Sequence, residues 1–192
     1  MRLATGFALL GMALALVACG QSGPNVEAAG AAGQSPAKAP AARERVVLEL
    51  KQGKVVIELR PDLAPKHVER VKTLVGEGFY NGLKFHRVIA GFMAQTGDPT
   101  GSGAGGSKYP DLPAEFSPTQ FERGTIGAAR TSNPNSANSQ FFICFAHAPH
   151  LNGKYTVWGQ VVEGMQFVDQ IAKGEPPAKP DVIVKMYMAG GA

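Results

Sequence analysis

Cysteine is almost missing from this chain: Cys19 and Cys144 are its two cysteines in 192 residues. A disulfide framework is therefore excluded from any mature domain, and a small buried thiol is the expected role of Cys144 within its apolar run. Charge is also sparse at 18% of residues, and 19 Lys and Arg against 15 Asp and Glu leave a formal charge of +4. No basic run gathers that excess, so a nucleic-acid surface is not expected. No long hydrophobic run exists either. The longest uncharged apolar stretch, Leu3 to Val17, spans 15 residues, short of the roughly 20 that a membrane-spanning helix needs. Paired-cysteine motifs, a His-Glu-x-x-His run, a convincing catalytic triad and an Asn-x-Ser/Thr acceptor are all absent. No metal or cofactor is expected. One formal match, Gly101-x-Gly103-x-x-Gly106, mimics a dinucleotide fingerprint. That fingerprint must open a helix, and Tyr109-Pro110 with Pro113 leaves no room for one. Ser107-Lys108 reverses the order of a phosphate-binding loop as well.

What is present begins with a leader. Met1-Arg2 supplies a minimal positive region, and the short apolar run after it reads as a signal peptide over residues 1–18. The run closes in Leu16-Val17-Ala18-Cys19-Gly20, which resembles a bacterial lipobox with Cys19 as the diacylated mature N-terminus. The alternative is an ordinary signal peptide with a chance cysteine. A lipid on Cys19 would place the protein in a bacterial cell envelope, on the periplasmic face of a membrane. Gly20 after Cys19 resembles the default outer-membrane sorting signal. Residues 19–43 are mostly Ala, Gly, Pro, Ser and Gln, with Glu27 and Lys38 as charges up to Ala42. Such a segment buries too little apolar surface to offset its ordering entropy. It is expected to act as a flexible tether spanning roughly 25–30 Å r.m.s..

Residues 44–190 carry the domain. Arg45–Leu50 and Val55–Leu59 around Lys51-Gln52-Gly53-Lys54 predict an opening hairpin. Pro65 starts a helix to about Val75, with Val68, Val71, Leu74 and Val75 on one face. Further strands are expected at Gly124–Arg130, Gln140–Ala146, Thr156–Val162 and Asp181–Met188, and a second helix at Met165–Ala172. A long loop runs from Gly97 to about Phe116. Many short strands and two distant helices suit a mainly β fold, a closed antiparallel barrel capped by helices.

The stretch from Phe85 to Asp98 concentrates the chemistry. Alternation predicts a strand with Phe85, Arg87 and Ile89 on one face and His86 and Val88 on the other, broken at Gly91. A guanidinium, an aromatic ring, a thioether and a primary amide (Arg87, Phe92, Met93, Gln95) fall within nine residues. That set can grip an apolar ring beside a peptide carbonyl. It does not suit nucleophilic attack or metal binding.

Phe85-His86-Arg87 with Gly91-Phe92-Met93-Ala94-Gln95 and Gly97-Asp98 resembles the signature of the cyclophilin-type peptidyl-prolyl cis-trans isomerases. Asn138-Ser139-Gln140-Phe141-Phe142-Ile143-Cys144 resembles that family's Gln-Phe-Phe-Ile strand. Leu151-Asn152-Gly153-Lys154 through Thr156-Val157-Trp158-Gly159 resembles its Leu-(Asp/Asn)-Gly-Lys loop and the strand after it. The three blocks follow family order between about Val46 and Met188. The resemblance implies an eight-stranded barrel with a helix over each end, acting on proline-containing polypeptides as a monomer.

It also implies roles. Arg87 would be the main catalytic residue, donating to the prolyl nitrogen; without the motif it would read as a solvated strand arginine. Gln95 would bind a substrate carbonyl and help hold the arginine. Phe92, Met93, Phe142 and Leu151 would line the proline pocket, where core packing is the alternative reading. Arg130-Thr131-Ser132 stands where the family offers backbone groups to the peptide, an Arg-Thr pair there resembling bacterial members. Gly103 matches the glycine of the pocket's far side, and Gln140 belongs to the substrate-binding set. Two positions depart from the pattern: His150 replaces the tryptophan of cyclosporin-sensitive members, implying weak cyclosporin binding, and Tyr155 replaces a histidine. His86 reads as a structural strand histidine pointing away from Arg87.

An X-Pro bond rotates over a barrier near 18–20 kcal/mol and exchanges in tens of seconds. Ordinary turnover needs about 3–7 kcal/mol of that barrier removed, which one or two well-aimed interactions in a dry pocket supply. The rival reading is a proline-peptide-binding surface lipoprotein, a scaffold or adhesin with little turnover. Intact Arg87 and Gln95 argue for the enzyme.

Overall fold

The computed structural model describes residues 43–190. The leader, Cys19 and the tether up to Ala42 lie outside the described residues. The opening hairpin forms as expected: β1 (Arg45–Leu50) and β2 (Gly53–Leu59) pair antiparallel from Arg45↔Glu58 to Leu50↔Gly53. Burial alternates along β2 but not along β1, where Val46, Val47 and Leu48 are all buried. Val46, Leu48, Val55, Ile57 and Leu59 are sealed in the interior, while Glu58 stands partly open to solvent.

Helix α1 (Pro65–Gly76) starts on a proline, whose missing N–H falls where no helical partner exists. Ala64 at its N-cap has no side chain able to accept a bond. Glu115 takes that part from the long loop, accepting from the Lys66 and His67 amides at 3.1 Å each. The apolar face of α1 (Val68, Val71, Leu74, Val75) turns inward, and the helix packs on β7 (Val157–Glu163) and β8 (Lys185–Met188). The second helix is shorter than expected. α2 (Met165–Val168) gives way to i→i+3 bonds from Gln170 to Phe167 and from Ile171 to Val168.

The remaining strands are β3 (Arg87–Ile89), β4 (Met93–Thr96), β5 (Thr125–Ala128) and β6 (Phe141–Cys144). Among the described residues one antiparallel eight-stranded sheet runs β3-β4-β6-β5-β7-β2-β1-β8. It is a curled half-barrel, not the closed barrel expected. Its end strands β3 and β8 do not ladder onto each other. The seam is spanned instead by irregular chain: Lys84 bridges Val182, Val88 bridges Gly174, and Phe85 donates to the Asp181 carbonyl at 2.9 Å. For the same reason the predicted strand from Asp181 begins only at Lys185.

Both faces of this sheet are covered at β6, which explains its unbroken apolar run. Phe141 and Ile143 enter the interior with Trp158, Tyr80 and Leu74, whereas Phe142 and Cys144 enter a second cluster on the outer face. Phe141 meets Trp158 edge to face at 5.4 Å, an arrangement worth about 0.5–1.5 kcal/mol beyond buried area. The outer cluster adds Met93, Phe121, Leu151 and Val157. It forms the floor on which the site stands.

Candidate functional site

Strand register places the site residues. Arg87 lies opposite Gln95, Gln95 opposite Phe142, and Phe142 opposite Gly127. Directly opposed residues of antiparallel strands present side chains to the same face, so these four make one transverse row. Ile89, Met93 and Cys144 form the next row. Gly127 leaves a gap in the first row, where a side chain would not fit: a Cβ there would stand 2.7 Å from Phe121 Cε1 and crowd the Phe142 ring. The space it leaves lets Phe121 and Phe142 stack with centroids 5.7 Å apart.

Two expected face assignments fail: His86, expected to point away from Arg87, lines a cavity together with it, and Phe85 does not share the arginine's face. Phe85 belongs to the interior cluster with Val88, not beside Arg87 and Ile89. Residues 85 and 86 precede β3 and follow the irregular seam, so strict alternation starts only at Arg87. His86 is buried, with its ring 3.6 Å from the position a Cβ on Gly103 would take. Burial pushes its pKa down.

Above the row lies a cavity of about 300 Å³ lined by Arg87, Phe92, Met93, Gln95, Ala129, Arg130, Phe142, His150, Leu151 and Tyr155. Nine of the sequence-derived residues thus meet in one place, and Ala129 joins them. Pro149–Leu151 folds as a 3₁₀ turn that brings Leu151 onto the outer cluster. Phe92 meets His150 at 5.1 Å, and Tyr155 meets Phe142 edge to face at 5.8 Å. The Arg130 guanidinium lies 4.3 Å over the Tyr155 ring and donates to the Thr131 and Lys154 carbonyls at 2.8 Å. It acts as a clamp between two loops.

A second cavity of about 470 Å³ adjoins the first and shares Gln95, Ala129 and Arg130 with it. Gly103, Thr131 and Gln140 line it, as do Ser107 and Asn138, which sequence reasoning did not assign a role. Ser132 lines neither cavity and stays on the exposed rim. Gln95 donates to Gln140 Oε1 at 2.9 Å, and Gln140 donates to the Gly103 and Gly105 carbonyls at 3.0 and 2.7 Å. Asp98 shapes that glycine-rich loop. It accepts from the Thr100 and Gly103 amides at 2.8 and 2.6 Å. Burial alone would raise its pKa, yet these donors outweigh burial and hold the carboxyl well below the usual carboxylate range.

Gln95 is thereby committed to Gln140 and does not bond the arginine. Arg87 Nε donates instead to Glu175 Oε2 at 2.9 Å. Sequence reasoning missed Glu175, which sits in a Gly-Glu-Pro-Pro turn with no motif of its own. A third cavity, about 380 Å³, lies on this side of the arginine between His86, Ser102, Glu175 and Pro176. Among the described residues no group of three or more His, Cys, Asp or Glu side chains is placed to hold a metal ion. Cys144 is buried, and burial pushes its thiol up to about 12, so it is not a nucleophile at neutral pH.

Comparison with known proteins agrees with this geometry. Residues 45–188 match the family model described as cyclophilin type peptidyl-prolyl cis-trans isomerase/CLD. A probable peptidyl-prolyl cis-trans isomerase of Brucella suis is 58% identical over 156 residues, covering 73% of this chain and 80% of the relative. A peptidyl-prolyl cis-trans isomerase of Helicobacter pylori is 41% identical over 131 residues, covering 67% and 80%. Among solved structures, a cyclophilin type peptidyl-prolyl cis-trans isomerase of Cryptosporidium parvum superposes with a TM-score of 0.73 at 29% identity, over 78% of this chain and 99% of that one. The same Cryptosporidium protein was crystallised in the presence of the dipeptide Ala-Pro, and that structure gives a TM-score of 0.71 at 29% identity, over 77% and 99%.

Proposed function

The chain belongs to the cyclophilin-type peptidyl-prolyl cis-trans isomerases, and from that premise we propose that Arg87 drives the rotation by donating to the prolyl nitrogen. The proline ring of a substrate enters the apolar cavity of Phe92, Met93, Phe142 and Leu151. Arg87 stands at its edge as the fixed positive charge. As the X-Pro bond twists, the nitrogen pyramidalises and its lone pair becomes available. A guanidinium N–H directed at that lone pair is stronger in the twisted state than in either planar isomer, which is the condition for lowering the barrier. Once the bound peptide covers the cavity, a preorganised donor supplies the needed few kcal/mol.

Gln95 spends one N–H on Gln140. Its other N–H serves a substrate carbonyl and fixes the peptide while the bond turns. The second cavity, along Gly103, Thr131 and Gln140, receives residues on one side of the proline. His150 at the mouth offers less apolar surface than a tryptophan, so cyclosporin is bound weakly. The protein acts as a monomer. It is tethered by a lipid on Cys19 in a bacterial cell envelope and works on folding or exported polypeptides.

The single observation that supports this reading best is the in-register row Arg87–Gln95–Phe142 on the floor of one apolar cavity. Its test is NMR exchange on an Ala-Pro peptide with wild type and Arg87→Ala. The variant should lose about two or more orders of magnitude in kcat/KM, the scale of one preorganised donor. Unchanged turnover in Arg87→Ala would remove the arginine from the mechanism. Peptide binding without exchange in the wild type would favour a scaffold.

A further inference from the structure

We infer that Glu175 is the positioning residue of Arg87, an inference that rests on the role proposed for that arginine. A half-exposed arginine on a strand has many rotamers, and ordering such a side chain costs up to about 2 kcal/mol. Arg87 borders two cavities, the apolar one and the outer one lined by Ser102, Glu175 and Pro176. Left free, its guanidinium would divide its time between them. Its cross-strand neighbour Gln95 is committed to Gln140. Glu175 holds the arginine instead, and through Nε alone, so the two terminal nitrogens remain for substrate.

Backbone geometry puts Glu175 there. Val88 and Gly174 exchange both amide bonds at 2.8 Å as an isolated antiparallel bridge. One residue along that register, Glu175 falls opposite Arg87 and extends the catalytic row to Glu175–Arg87–Gln95–Phe142. Gly174 is needed for this turn: it adopts φ 147°, and a Cβ there would stand 2.6 Å from Pro177 Cα. The pair itself is exposed on both sides, with side-chain exposures of 43% and 50%. A pair so exposed contributes little to stability. Its effect is therefore orientation: the carboxylate fixes which way the guanidinium points.

Because the arginine acts on the twisted state, loss of its aim reduces kcat and spares peptide affinity. The full-length protein is compared as wild type, Glu175→Ala, Glu175→Gln, Arg87→Ala and the Arg87→Ala/Glu175→Ala double variant. NMR exchange with an Ala-Pro peptide gives kcat and Kd for each, and thermal unfolding gives Tm. Glu175→Ala should lower kcat about three- to tenfold, with Kd within about twofold and Tm within about 2 °C. Glu175→Gln should recover part of the loss, since its amide oxygen still accepts from Nε. In the Arg87→Ala background, removing Glu175 should cost nothing further. Wild-type kcat in Glu175→Ala, an equal loss in the Arg87→Ala background, or a loss explained by a lowered Tm would each overturn the inference. If Arg87→Ala collapses turnover while Glu175→Ala does not, only this inference fails. If Arg87→Ala keeps full turnover, the reading beneath it fails first.

Discussion

The proposed weak binding of cyclosporin turns on one residue, His150. Its ring leans on Phe92 in the lining of the cavity that Arg87 also borders. An imidazole offers little flat apolar area, whereas an indole at the same place would bury more and keep one polar edge wet. His150→Trp should therefore tighten cyclosporin binding by at least about tenfold, or 1.4 kcal/mol, with turnover of an Ala-Pro peptide nearly unchanged. Isothermal titration of both proteins checks this, and equal affinities would show that His150 does not limit the drug. Arg130 works at the same scale by a different route. Pinned between the Thr131 and Lys154 carbonyls, it fixes the Tyr155 ring against Phe142, so its substitution should disturb the cavity wall before it disturbs the charge balance.

At the scale of elements, α1 depends on a distant loop. Glu115 caps its first turn and accepts from His67 Nδ1 at 2.6 Å beneath the helix. Burial pushes the His67 pKa below its ordinary 6.5, against the pull of Glu115. For Glu115, burial raises the pKa, but the His67 ring and the Lys66 and His67 amides outweigh it and leave it below its ordinary 4.5. Both groups therefore bind fewer protons in the folded chain than in the unfolded one. The stability they confer is complete above pH 6.5 for His67 and above 4.5 for Glu115, and it is lost as pH falls through each folded value. Urea midpoints should decline from pH 7.5 to pH 4, with a shallower decline in His67→Gln between pH 7 and 5.5. An unchanged slope in that variant would shift the effect to His86, whose pKa burial also lowers. The pairing of Glu115 with α1 could not be read from the sequence, since nothing local joins residue 115 to residue 66. What could be read was local: Pro65 with its apolar spacing and the hairpin around Gly53. The Arg87, Phe92, Met93, Gln95 and Leu151 side chains do meet in one cavity. Arg87, Met93 and Gln95 sit on strands whose register follows from buried faces, and Phe92 and Leu151 on short turns beside them. The missed features, Glu175 beside Arg87 and the unladdered seam, arise where chain segments far apart in sequence touch through isolated bridges. Short bridges leave no periodic trace.

For the whole molecule, the proposed anchor makes a separate prediction. If Cys19 carries a lipid, full-length protein made in a bacterial host should sediment with membranes and enter the detergent phase, and Cys19→Ser should move it to the soluble fraction with unaltered turnover. Equal partitioning of the two would leave the cysteine as part of an ordinary leader. The sheet order carries another consequence. β1 is bordered by β2 on one side and by β8 on the other, with Val46 opposite Met188 and the Ala189 amide on the Arg45 carbonyl at 2.8 Å. Among the described residues, the first strand to be made therefore waits for the last. Until Lys185–Met188 has been synthesised, one edge of β1 has no partner, and a long loop must close before it gains one. Assembly of this domain is consequently completed only when β1 and β8 arrive side by side.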